Sequence, residues 1–132
     1  MLDVKALLAK ILDALKTDYI VEEGTSGIWT YRKWNSGIAE CWGYKTISTT
    51  FASWGSWYYI SVTGENYPTG LFTLVTSVQG QLTVNDADTI SSIVRRPNDM
   101  KVTAPNITGI RPTSAAGTYT GYGYWHTVGK WK

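Results

Sequence analysis

Histidine and cysteine each occur only once in this 132-residue chain. A lone Cys41 excludes an internal disulfide framework. One His and one distant Cys fall short of the ligands that a zinc site needs. No apolar run approaches the roughly 20 residues of a membrane-spanning helix, so membrane insertion is not expected. The N-terminal leucines and alanines are interrupted by Asp3, Lys5, Lys10 and Asp13. A secretory signal keeps its apolar core uncharged, so a product made and used without Sec export is expected. Charge is sparse as well. Twelve basic and ten acidic residues leave a net +2, and charged residues make up only 17% of the chain. Basic residues adjoin only as the pairs Arg32-Lys33 and Arg95-Arg96. Nucleic-acid surfaces concentrate charge more than this, so nucleic acid is not an expected partner.

What is present points to strands. Hydrophobic residues make up 43%, which argues for a folded core rather than disorder. There are 13 glycines, and Trp and Tyr together number 16, from seven Trp and nine Tyr. Aromatics and threonine favour strands, and glycine punctuates turns. The length fits one core, and short strands with frequent turn signals predict an antiparallel β-sandwich, jelly-roll-like, behind one N-terminal α-helix.

That helix is predicted over residues 2–19. Leu2, Val4, Leu7, Leu8, Ile11, Leu12 and Leu15 recur at three- and four-residue steps, with charged residues between them. Alone in water such a helix is marginal, so its stripe needs a partner. The partner is either its own β-domain or copies of itself. A terminal position and a polar link favour copies. Residues 20–26 are expected to be that link, broken at Gly24. The predicted organisation is therefore residues 1–26 for oligomerisation or docking and 27–132 for the β-sandwich.

Two alternating aromatic segments flank Asn35-Ser36-Gly37, the pattern of a β-hairpin. A type I turn followed by Gly37 in the left-handed region makes a bulge at Gly37 and Ile38. The register then pairs Arg32 with Glu40, Tyr31 with Cys41 and Trp29 with Gly43: opposite charges, then large residues over small ones. Further strands are predicted at 45–52, 57–63, 71–79, 89–95, 100–104, 106–111 and 118–131. Phe72 and Leu74 are expected to share a face with Val78, and Gly121 or Gly123 is a place to break the last strand. The loops are 64–70, 85–88, 96–99 and 112–117.

The search for chemistry yields no catalytic set, no metal site and no cofactor motif. His126 lies within the last strand between Trp125 and Thr127, without a nucleophile context such as G-x-S-x-G. Cys41 sits in an alternating strand as a small buried hydrophobe. Asp86 and Asp88 could act as paired carboxylates or help to bind a cation. They lack the apolar surroundings of a raised acid and the loop of an EF-hand, so solvated turn residues are the plainer account. The aromatics remain. Sugar rings stack their C–H faces on Trp and Tyr, but aromatics also fill small cores and oligomer seams. Strand aromatics are therefore expected to pack, and the loop aromatics Trp54 and Tyr67 to be available. With Asp86, Asp88 and Arg95 they form the candidate ligand-binding set.

One resemblance adds to this. The hairpin W-T-Y-R-K-W-N-S-G-I-A-E-C-W-G, the W-G-S-W-Y-Y block from Trp54, the Tyr67-Pro68 loop, R-P-T-S-A from Arg111 and the ending Y-W-H-T-V-G-K-W-K resemble one family. It comprises small tail-associated proteins, and C-terminal domains of tail fibres, from phages and prophages of Gram-positive bacteria. The likeness spans residues 27–132 and is weakest over 79–108, where a host-specific surface is expected to vary. It implies a non-enzymatic tail-fibre or tail-tip receptor-binding protein, a homotrimer that contacts bacterial cell-surface carbohydrate and other phage tail proteins. It implies location in the virion tail after synthesis in the host bacterial cytoplasm. The alternatives are a structural baseplate or fibre adaptor without its own receptor, and a glycan-cleaving enzyme on the same fold. The shared motifs are structural and transfer no binding residue.

Overall fold

The computed structural model describes residues 3–84, 91–94, 100–112 and 118–132, with backbone alone for 91–94. Helix α1 runs Val4–Lys16, shorter than its apolar repeat suggests. Asp3 caps it, its carboxylate accepting the Lys5 and Ala6 amides at 3.0 and 3.2 Å. This satisfies two of the free donors of the first turn. No residue of α1 is buried. Its whole apolar stripe, Val4, Leu7, Leu8, Ile11, Leu12 and Leu15, is exposed to solvent.

The expected link is a strand instead. β1 (Ile20–Ser26) pairs antiparallel with β2 (Trp29–Trp34). Its polar sequence lacks alternation because an edge strand needs a partner backbone more than an apolar face. Glu22 and Glu23 pair across the ladder with Lys33 and Arg32 at 3.0 and 3.5 Å. Gly24 does not break the chain. It lies opposite Tyr31, whose ring occupies the space where a side chain would stand. The β-rich part therefore begins at Ile20, not at Gly27.

β2 and β3 (Ile38–Thr49) form the expected hairpin in the expected register: Arg32 with Glu40, Tyr31 with Cys41. Gly37 has φ +97° and its amide donates to the Trp34 carbonyl at 3.0 Å. A residue with a β-carbon is strained at that φ. The turn is also an anchor. The Trp131 amide donates to the Gly37 carbonyl at 3.0 Å, and the Trp131 indole to the Trp34 carbonyl at 2.9 Å. From the other side Asp18 accepts the Ser36 hydroxyl at 2.6 Å and its amide at 2.9 Å. The Ser36 hydroxyl is the main reason the Asp18 carboxyl is held below its ordinary value. Hairpin, helix exit and C-terminal segment thus meet at one turn.

Beyond β3 come β4 (Ala52–Trp54), β5 (Trp57–Thr63), β6 (Leu74–Val84), β7 (Ser91–Val94), β8 (Asn106–Arg111) and β9 (Tyr119–Lys130). Among the described residues they build two antiparallel sheets, ordered β1-β2-β3-β9-β6 and β4-β5-β8-β7. The chain passes from the first sheet at β3 to the second at β4–β5. It then returns to the first at β6 and crosses again to β7. This alternation makes the sandwich jelly-roll-like.

Three local expectations change. Residues 100–104 are not a strand; Thr103 and Pro105 instead accept the amides of Tyr67 and Gly64. A bulge between Val75 and Ser77 shifts the parity of β6, so Val75 and Val78 are buried while Leu74 is exposed. β9 continues unbroken through Gly121 and Gly123. At Gly123 a β-carbon would come within 2.5 Å of the Trp125 ring, so the glycine makes room for a core tryptophan.

The core lies between the sheets, around Trp29, Trp125, Leu71, Cys41 and Ile107. Its rings meet edge-on or tilted: Trp29–Tyr67 at 5.3 Å, Tyr67–Phe72 at 4.9 Å, Trp29–Trp125 at 6.5 Å. Such pairs add to their burial energy. The Trp29 indole donates to the Asn66 carbonyl at 2.8 Å, which meets the need of a buried N–H for a partner.

Candidate functional site

The outer face of the smaller sheet carries the first candidate. β4 and β5 form a tight hairpin, with Trp54 opposite Trp57 and Ala52 opposite Tyr59. β8 lies next, with Ile110 opposite Tyr59 and Thr108 opposite Ser61. Side chains alternate along strands, so Trp54, Trp57, Tyr59, Thr108 and Ile110 all point away from the core. Between them is an open groove of about 390 Å³ lined by Trp54, Tyr59, Thr108 and Ile110. An adjoining hollow of about 340 Å³ shares Trp54 and Ile110 and reaches Trp57. Trp54 is 62% exposed, an unusual position for so large an apolar side chain. The groove offers flat apolar walls with the Thr108 and Tyr59 hydroxyls on its lining. It can hold a ring-shaped ligand with an apolar face.

Tyr67 has a different place. It is buried in the core, with its hydroxyl 3.0 Å from that of Thr127. Burial is the main reason its phenol is pushed well above the ordinary value. The loop position is correct, but the loop folds inward onto Trp29 and Phe72, so this ring presents no face to a ligand. Asp86, Asp88 and Arg95 lie outside the described residues, as does most of the loop after β8.

Cys41 is buried, and burial pushes its thiol up to about 12, so it is not a nucleophile at neutral pH. His126 is half-buried on the outer face of the larger sheet, its Nε2 2.9 Å from Glu40 Oε2. Among the described residues no group of three His, Cys, Asp or Glu could hold a metal ion. No described helix is long and apolar enough to cross a membrane.

Comparison with protein-family models, with curated proteins and with solved structures returns no match. Function therefore rests on the surface itself.

The larger sheet also turns aromatic side chains outward, and these are missing from the sequence-based set. Tyr44 is 66% exposed, Tyr122 48% and Tyr124 44%. A signal for them was present. In G-Y-G-Y-W at 121–125 the parity of Trp125 decides the rest: if Trp125 is core, both tyrosines face solvent. The same rule, counted along W-Y-Y-I-S-V, turns Trp57 and Tyr59 outward once Ile60 is core.

Proposed function

We propose that this chain is a receptor-binding tip of a phage or prophage tail fibre, which holds bacterial surface carbohydrate as a homotrimer. The observation that carries this is the groove beside Trp54. An exposed indole, a tyrosine and a threonine hydroxyl around about 390 Å³ suit a sugar ring, apolar on its faces and polar at its rim. The motifs shared with tail-associated proteins support the same conclusion. A single open groove of this kind binds weakly. Three copies on one tip would raise the avidity without any new contact.

The exposed stripe of α1 supports the trimer. A 13-residue helix is marginal by itself, and no residue of it is buried in one chain. Packing against its own copies supplies the missing partner. The same stripe also favours a second reading, a fibre adaptor whose helix docks on another tail protein.

Pull-down on immobilised Gram-positive cell-wall carbohydrate tests the proposal. The intact protein is retained, and Trp54→Ala reduces retention at least ten-fold while the fold survives, because Trp54 is a surface residue. Binding to tail proteins but not to wall material would favour the adaptor. Release of reducing sugar would show a glycan-cleaving enzyme. Deleting residues 1–17, which leaves Asp18 and β1 intact, lowers the light-scattering mass from three chains to one. An unchanged trimer would mean that the β-domain holds the interface.

A further inference from the structure

We infer that the outer face of the β3–β9–β6 sheet is a second ligand surface, separate from the Trp54 groove, that takes an uncharged glycan chain. The inference rests on the carbohydrate reading and adds a surface and a ligand charge to it.

Three observations carry it. First, the register assembles a grid. Tyr124 lies between Tyr44 and Gln81, and on the next row Tyr122 lies between Thr46 and Thr83. Tyr44 and Tyr122 meet edge-on across the diagonal, with ring centroids 6.3 Å apart. Side chains on alternate residues of one strand are separated by about 6.5–7 Å. A glycan chain laid along β9 would therefore pass over both Tyr122 and Tyr124.

Second, the polar atoms there are unspent. The Tyr67 and Tyr31 hydroxyls are bonded to Thr127 and Glu22. Among the described residues, the side-chain polar groups of Tyr44, Tyr122, Tyr124, Gln79 and Gln81 have no such partner. Amides and phenols both donate and accept, as sugar hydroxyls do. Aromatic ring faces, negative in their quadrupole, attract polarised C–H groups.

Third, the two rows that hold the tyrosines carry no charged side chain. Arg32 pairs with Glu23 at 3.5 Å, and its guanidinium covers the Trp42 ring at 5.2 Å. Glu40 lies against His126 at 2.9 Å. Lys45 has the inward parity of Gly43 and Ile47 and pairs with Glu65 at 3.1 Å, so it does not stand on this face. No described cation stands beside the tyrosines: Lys130, exposed and without an ion pair among the described residues, lies three rows away between Ile38 and Leu74. A phosphate-bearing polymer or nucleic acid is therefore poorly matched there. A second copy fits less well for another reason. Stable seams between copies are filled with desolvated apolar residues. The rows of the three tyrosines carry Gln81, Thr46 and Thr83 instead, with Trp42, His126 and Gln79 on the row beyond.

The experiment titrates the intact protein by isothermal calorimetry with three neutral probes, cellohexaose, chitohexaose and maltohexaose, and with one anionic probe, lipoteichoic acid. The variants are Trp54→Ala and the double substitution Tyr44→Ala with Tyr124→Ala. The expected result is binding of at least one neutral probe, weakened ten-fold or more by the double substitution and less than three-fold by Trp54→Ala. If Trp54→Ala removes binding and the double substitution does not, the carbohydrate reading stands and the second surface is refuted. Binding of lipoteichoic acid alone refutes the uncharged ligand. Binding of no probe refutes the inference, while wall pull-down of the same protein decides the broader reading on its own. Loss of oligomer mass in the double variant with unchanged affinity would make this face a seam between copies.

Discussion

Tyr124 and Trp125 are neighbours in β9, yet Trp125 is fully buried and Tyr124 is 44% exposed. The same contrast runs along the whole larger sheet. Its inner face stacks Trp29, Cys41 and Trp125 into a closed core. Its outer face holds Tyr44, Tyr122 and Tyr124 with little above them. Residue type does not separate the two groups, because both are aromatic. Strand parity does. An aromatic turned inward contributes dispersion and burial energy, and one turned outward leaves a ring face for something else. The smaller sheet repeats the division, with Ile60 inside and Trp54, Trp57 and Tyr59 outside.

The strongest way to break this comparison is to remove an inner ring. Trp125→Ala leaves a large cavity between the sheets and should cost about 3–5 kcal/mol in denaturant unfolding. A loss under 1 kcal/mol would show that the inner face is not the source of stability. Next in size is Gly123→Ala. Its new β-carbon would sit about 2.5 Å from the Trp125 ring, and overpacking of this kind costs about 1–3 kcal/mol. A neutral result would mean that the ring has room to move and that the glycine was not required.

Much of the fold was legible in the sequence for local reasons. The hairpin register followed from one turn, because Gly37 supplied the positive φ that fixed the bulge. The helix followed from its apolar period. Elements fixed by distant partners were harder to read. β1 has no alternation of its own and exists through pairing with β2. The bulge at Val75 to Ser77 reversed the expected direction of Leu74, and nothing local announces it. Gly121 and Gly123 looked like breaks because glycine weakens isolated strands. In the sandwich they fill positions where the opposite backbone or Trp125 leaves no space. The site divided along the same line. Trp54 was found because a hairpin tip exposes whatever it carries. Tyr67 was misplaced because loop position says nothing about whether a loop folds inward. The outer tyrosines are legible only when parity is counted from a core residue, because residue type alone sends every strand aromatic to packing.

Smallest in stability, and most direct as a test, is the outer neighbour. Tyr124→Ala should be measured beside Trp125→Ala in the same denaturant titration. With its ring already open to solvent, Tyr124 contributes a cross-strand pair with Tyr44 and strand propensity. The variant should therefore lose no more than about 1 kcal/mol. A loss comparable to that of Trp125→Ala would contradict the division of the sheet into a face for stability and a face for recognition.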